Sequence, residues 1–323
     1  MLLLEYHNLL LKSILTERFV EGANPVSIDQ VISDFDGVTF HVSTPETKTK
    51  ILISISIKCY AELVQHGAQD VLQREYGQYI TTTESGYDFS LLIDLEDLPA
   101  EAEARDDLIR RVSLLRRNTM AAPFEKAIDT HHGLAEQAKA SLDESAPAAT
   151  QSEVMVIRYR DEEAMYIQAS HDRVTVIFST VFREETDRIF GKVFLSEFVD
   201  ARRRALQTAP QVLYMNEPPL EIRGVPGVLD AQGQGAGDVG YVTFVLSPRH
   251  LTQQRREESI SHIQTFRDYF HYHIKAAKAY MHSRMRRRVA DFLKVLNRAK
   301  PEADESEKKE RKTATGRSFQ VQG

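Results

Sequence analysis

The sharpest chemical signal in the sequence is Asp34-Phe35-Asp36-Gly37 following Val31-Ile32. Two carboxylates two residues apart at the end of a strand could divide phosphoryl chemistry: one attacks phosphorus and the other does acid–base work beside magnesium. Gly235-Ala236-Gly237-Asp238-Val239-Gly240 has the glycine spacing of a dinucleotide-binding turn. His271 and His273 are a possible metal pair, as are His131 and His132, and Cys59 is the one cysteine. Each of these needs a particular element to position it, and the elements decide between chemistry and structure.

The dinucleotide turn needs glycines that leave a strand and open a helix, whose N-terminus receives the pyrophosphate. Here the glycines lead into the strand pattern Gly240 to Leu246, so they read as a loop. Histidines two apart on a helix point about 200° from each other and cannot chelate one ion. His131-His132 lies beside no carboxylate cluster, and Cys59, at a strand end with no neighbouring base, reads as a buried structural thiol. The Asp34–Gly37 string resembles the nucleophile loop of haloacid-dehalogenase-type phosphohydrolases. That fold alternates strands and helices, whereas this sequence passes straight into further strands, and Asp-Gly is also a common hairpin turn. A magnesium-dependent phosphohydrolase is kept as the alternative; the expectation is a protein that is not an enzyme and needs no cofactor and no metal.

The strand patterns are clear. Gln30 to Val42 turns near Asp36-Gly37, and in Thr49 to Ile57 the residues Ile51, Ile53, Ile55 and Ile57 alternate with Leu52, Ser54, Ser56 and Lys58. Helical spacing covers residues 2 to 20, Tyr60 to Tyr76 and Arg105 to Ile128. Tyr79 to Thr82 and Tyr87 to Leu95 read as a hairpin across Ser85-Gly86. Residues 131–152, rich in Ala, Ser, Gln and Glu, read as a linker or long loop. Beyond it come strands at 154–158, 164–169 and 173–182, a helix at 184–204, short strands at 212–214 and 220–222, and the strand at 240–246. The halves overlay with Thr47 to Ile53 on Ser170 to Val176 and Gly86-Tyr87 on Gly240-Tyr241. The expected fold class is therefore α+β: two tandem copies of a two-layer sheet-plus-helices domain with a long C-terminal helix. The expected divisions are a first domain at 1–130, the linker at 131–152, a second domain at 153–254, the long helix at 255–300 and a flexible tail at 301–323.

That helix is the most informative element. No Pro or Gly interrupts Arg249 to Lys300. At about 100° per residue, Ile260, Ile263, Phe270, Ile274, Met281, Met285, Phe292 and Leu296 fall on one face, with Arg288 inside it. A stripe of roughly ten turns is longer than one small domain can cover, so part of it is expected to pack on another long helix. From Arg255 to Lys300 there are twelve lysines and arginines against four acids, in a chain of net charge −6. One segment therefore faces an acidic partner or an acidic part of its own molecule. The acidic whole and the lack of a zinc finger or aromatic ribonucleoprotein pattern argue against nucleic acid. No apolar run reaches the ~18 residues of a membrane span. The broken Met1-Leu2-Leu3-Leu4 start does not fit a signal peptide, and a single cysteine allows no internal disulfide, in keeping with a reducing compartment.

Longer strings carry a family resemblance. Ser33 to Val38, Tyr159-Arg160-Asp161-Glu162-Glu163-Ala164-Met165-Tyr166, Asp172 to Phe182, Glu217-Pro218-Pro219-Leu220-Glu221, Gly240 to Leu246, and Thr265 to Ala299 with Phe266-Arg267-Asp268-Tyr269 closely resemble the subunit 2 (34 kDa) family of the actin-related protein 2/3 complex. The resemblance implies a non-catalytic scaffold that pairs with subunit 4 of that complex, partly through long helices. It implies support for the two actin-related subunits, contact with the side of a mother actin filament, and nucleation of branched filaments. The expected location is the cytoplasm, at cortical actin structures such as endocytic actin patches, with no membrane insertion. On this basis Lys275, Lys278, Arg284, Arg286, Arg287, Lys294 and Arg298 are expected to include filament or partner contacts, because actin is acidic. The first helix, the 131–152 linker and the Gly-rich loop at 224–237 depart from the family pattern, so no family contact is carried onto them.

Overall fold

The computed structural model describes residues 4–20, 22, 24–140, 151–228, 239–298, 311–312 and 318–319. The first helix, α1 (Leu9–Arg18), starts later than the leucine spacing predicts. Asn8 caps it, its Oδ1 accepting from the Leu11 amide at 2.9 Å, and only Leu11 and Leu15 are buried. Strands β1 (Asp29–Ser33), β2 (Thr39–Ser43), β3 (Lys50–Ser56) and β4 (Phe89–Asp94) form an antiparallel sheet in that order. Ile51, Ile53 and Ile55 are fully buried on its helix-covered face. Helices α2 (Tyr60–Gln65) and α3 (Ala68–Tyr76) connect β3 to β4. The expected hairpin before β4 reduces to a single bridge between Ile80 and Leu91.

Two helices follow instead of one: α4 (Ala102–Ser113) and α5 (Leu115–Ala140), broken at Leu114. Residues 131–140, expected as the start of a linker, are the last turns of α5. Ala, Gln, Glu and Lys are strong helix formers, so a stretch poor in bulky apolar residues can still continue a helix. His131 there is buried, and its Nδ1–H donates to the Ser170 carbonyl at 2.6 Å.

The second sheet has the order β5-β6-β7-β9-β8, all antiparallel. Its strands are β5 (Met155–Ile157), β6 (Met165–Ala169), β7 (Val174–Val181), β8 (Gln211–Met215) and β9 (Val239–Leu246). Helix α6 (Glu185–Arg204) follows β7, and α7 (Arg256–Arg298) follows β9. Three strands, a helical connection, a strand and a helix thus recur, rather than the expected strand pairs. β8 is an extra edge strand, and residues 220–222 form a 3-10 turn instead of a strand. The register corrects the expected overlay by one residue. Ile53 faces Leu91 and Val176 faces Phe244, so Val242, Phe244 and Leu246 match Phe89, Leu91 and Ile93. Tyr241 points to the opposite face, where it packs with Tyr166, Ile177, Ile222 and Val228. A slip of one residue exchanges the two faces of a strand.

Residues 1–274 form one compact unit. Within it α7 lies on the second sheet through rings: Phe266 meets Phe244 edge-on at 4.6 Å and stacks on Phe270 at 5.6 Å. Gly191 of α6 admits this packing, since a Cβ there would stand 3.0 Å from Phe182 and 3.1 Å from Phe270. Gly191→Val is expected to cost about 2 kcal/mol by overpacking, read as a lowered thermal midpoint. A midpoint at or above that of the parent chain would show that the rings can yield. The second unit, Lys275–Gly323, contains the distal turns of α7 and a short pair, β10 (Arg311–Lys312) with β11 (Ser318–Phe319). Most of the expected flexible tail, the centre of the Gly-rich loop and Gly235 to Asp238 lie outside the described residues.

Candidate functional site

The Asp34–Gly37 segment closes the antiparallel β1–β2 hairpin. Asp36 takes a left-handed conformation (φ 60°), which Asp tolerates, and Gly37 follows at φ 71°. Asp34 is saturated. Its Oδ1 accepts from the Phe35 amide at 2.7 Å and from Arg116 at 3.1 Å, and its Oδ2 accepts from Asn8 at 3.0 Å. The Arg116 guanidinium also lies over the Phe35 ring. Asp36 Oδ1 accepts from Arg160 at 2.6 Å. Neither carboxylate is free to attack, and the loop leads to a strand rather than a helix, so the phosphohydrolase alternative has no support.

What the loop builds is a chain of ion pairs through the body of the molecule. Arg160, on the β5–β6 connection, also donates to Asp268 of α7 at 3.2 Å. Asp268 lies 3.9 Å from Arg116. Glu163 takes Arg267 of α7 at 2.7 Å and the Val181 amide at 3.1 Å. Four carboxylates (Asp34, Asp36, Glu163, Asp268) thus face three guanidiniums (Arg116, Arg160, Arg267). Asp268 is buried and its Oδ2 has no hydrogen-bond partner. Burial raises its pKa, Asp36 raises it further, and Arg116, Arg160 and Arg267 oppose the shift. A second set of bonds holds the start of α7: buried Arg117 of α5 donates to Ser261 Oγ at 2.9 Å and to the Glu257 carbonyl at 2.8 Å.

The remaining chemical candidates are structural. His271 lies against the Phe182 ring and His273 against Phe194. Cys59 is buried, and burial pushes its thiol up to about 12, far from a reactive thiolate. Among the described residues no group of three or more His, Cys, Asp or Glu could hold a metal ion, and no described helix is long and apolar enough to cross a membrane.

The surface that stands out is on α7. Ile260, Ile263, Phe270 and Ile274 are buried, as the stripe requires. Beyond Ile274 no residue of the helix is buried, yet the same stripe continues through Met281 (43% exposed), Met285 (59%), Phe292 (63%) and Leu296 (50%). Val289 and Val295 widen it, and Arg288 inside it is exposed. Arg286, Arg287, Lys294 and Arg298 are exposed on the side away from the stripe, and Arg284 is exposed on its flank. Lys275 is exposed and Lys278, at the stripe's edge, half-buried. The helix therefore presents an apolar face and a basic back, the form of a helix that packs on another helix while offering charge elsewhere.

The arginine cluster was missed in the sequence, although a signal was present. Arg267 falls in phase with Ile260, Ile263 and Ile274, and a charge inside an apolar stripe must find a buried carboxylate.

Comparison with known proteins bears on this surface. A sequence model described as "Arp2/3 complex, 34 kD subunit p34-Arc" matches residues 53–303. The chain is 59% identical over 325 residues to the actin-related protein 2/3 complex subunit 2 of Schizosaccharomyces pombe, covering 99% of each. It is 38% identical over 321 residues to the protein of that name in Dictyostelium discoideum, again covering 99% of each.

Proposed function

The chain belongs to the p34-Arc family, the 34 kD subunit of the Arp2/3 complex, and on that premise we propose that the distal half of α7 is its assembly and filament-contacting surface. It is a structural, non-catalytic subunit of an actin-nucleating complex, and it works in the cytoplasmic actin cytoskeleton with the other subunits and actin. The finer reading is that the stripe from Met281 to Leu296 packs on a long helix of subunit 4, forming the central scaffold that carries the two actin-related subunits. The basic residues Lys275, Lys278, Arg284, Arg286, Arg287, Lys294 and Arg298 then supply contacts to the acidic side of a mother filament or to partner subunits. Cortical actin structures, endocytic patches among them, are the proposed sites of action. The observation that carries this reading is a stripe that keeps its phase across Ile274 while passing from buried to exposed.

Reversing Arg286, Arg287, Lys294 and Arg298 together to glutamate is expected to leave the complex assembled but to weaken its attachment to filaments about tenfold, with a shallower dependence on salt. Cosedimentation of the purified complex with filaments, together with branch density by microscopy, reads the effect. Unchanged attachment would remove these residues from the filament contact.

A further inference from the structure

The outer face of the first sheet carries a polar fastening unconnected with α7. His41 stands on β2, opposite Val31 of β1 and Ser54 of β3. Its Nε2 lies 2.9 Å from Asp29 Oδ1, and its Nδ1 lies 2.9 and 3.0 Å from the two carboxylate oxygens of Glu84. Tyr87 stacks on the ring, with centroids 5.6 Å apart and planes 15° from parallel. A neutral imidazole has one N–H, and carboxylates only accept. Both contacts are therefore hydrogen bonds only when both ring nitrogens carry protons; a neutral ring sets one lone pair against a carboxylate.

We propose that protonated His41 is a clasp that holds the 80–88 segment and the edge strand β1 against the first sheet, and that the clasp opens as pH rises and the ring loses its proton. Much of the outer face depends on what the clasp holds down. The Glu84 amide donates to Ser90 Oγ at 3.0 Å, Ser90 Oγ meets Ser54 Oγ at 2.9 Å, and the Thr81 amide donates to the Ser90 carbonyl at 3.2 Å. Ser54 and Ser90 are fully buried beneath this segment. Release of Glu84 would open the segment over that serine pair, and release of Asp29 would free the end of β1, an edge strand on which Val31 is exposed.

The groups facing the ring are Asp29 from β1, Glu84 and Tyr87 from the 80–88 segment, and uncharged Ser54 from β3. Asp88 of the same segment is engaged elsewhere, accepting from the Ile57 amide at 2.7 Å. The hydrogen bond to Asp29 is the largest influence on His41 and raises its pKa; burial opposes it and Glu84 reinforces it. Tyr87 is pushed up by burial and by Glu84, so it stays neutral in the range where the histidine titrates. A raised histidine contributes its stabilisation in full below its ordinary value and loses it as pH rises through the raised one.

Hydrogen–deuterium exchange on the assembled complex tests the clasp, in a series from about pH 6 to about pH 8.5 with labelling times scaled to the intrinsic rates. Amides of residues 28–33 and 81–90 are expected to lose about fivefold in protection at the higher pH, a modest factor because the Asp29 carboxylate is exposed and screened by water. His41→Gln should show the lower protection at both pH values. Glu84→Gln, a milder change, should move the loss to lower pH. Equal protection at both pH values in the parent complex, a loss that persists in His41→Gln, or an unmoved midpoint in Glu84→Gln would each overturn the proposal.

Discussion

Phe292→Asp combined with Leu296→Asp is expected to leave the chain folded and to abolish its recovery with the other subunits of the complex. Both side chains are more than half or just half exposed in the chain itself, so removing them touches no internal packing, and surface changes of this kind are usually worth within about 0.5 kcal/mol. In a helix–helix interface they would be central. Burying a large apolar side chain is worth about 1.5–3 kcal/mol, and a carboxylate forced into the same site adds a desolvation cost. Two such sites lost together exceed about 4 kcal/mol, or about a thousandfold in affinity. Purification through a tag on the chain, with subunits identified by mass spectrometry, reads assembly, and thermal unfolding of the variant checks its fold. Ile263→Asp, on the same stripe but buried, serves as the contrast and should unfold the chain instead. Recovery of the complete complex with Phe292 and Leu296 both replaced would show that this stripe is not the subunit interface.

The contrast between Ile263 and Phe292 also explains what the sequence could and could not reveal. The two residues occupy one stripe at one period, and periodicity reports which residues share a face without reporting what covers it. Ile51, Ile53 and Ile55 were legible because strict alternation specifies a half-buried strand by itself. The break at Leu114 and the last turns of α5 were not: no Pro or Gly marks the break, and a stretch of helix formers poor in bulky apolar residues shows no buried face until His131 finds the Ser170 carbonyl. The overlay of Gly86-Tyr87 on Gly240-Tyr241 failed by one residue, because a tyrosine beside a glycine marks either face of a strand and only pairing sets the register. The two carboxylates of the Asp34–Gly37 loop were visible as chemistry, but the partners that consume them, Arg116 and Arg160, stand 82 and 124 residues away. The strings Tyr159 to Tyr166 and Phe266 to Tyr269 were identifiable as family signatures without revealing that their charged residues meet each other.

That meeting leads to a pair of outcomes of opposite size. Arg160→Leu is expected to destabilise the chain by about 3 kcal/mol, because it leaves Asp36 and Asp268 facing each other with their shared cation gone. Part of the Arg160 side chain reaches solvent, which holds the cost near the lower end for a broken buried pair. Asp268→Asn is expected to cost less than about 1 kcal/mol. The amide keeps an oxygen for Arg160, Oδ2 surrenders no hydrogen bond, and the cluster moves from four carboxylates against three guanidiniums to three against three. The pH dependence separates the two ideas further. Asp268 has a raised pKa in the folded chain, so the native state holds its proton where the unfolded chain has released it. Stability therefore falls as pH rises from the ordinary carboxylate range through the raised value. Denaturant unfolding of the full chain between about pH 5 and about pH 8 should show that decline in the parent and a flatter profile in Asp268→Asn. An equal decline in both would mean that the proton resides elsewhere. A cost for Asp268→Asn as large as that for Arg160→Leu would mean that the charge of Asp268, and not its neutral form, holds the root of α7 to the β1–β2 hairpin.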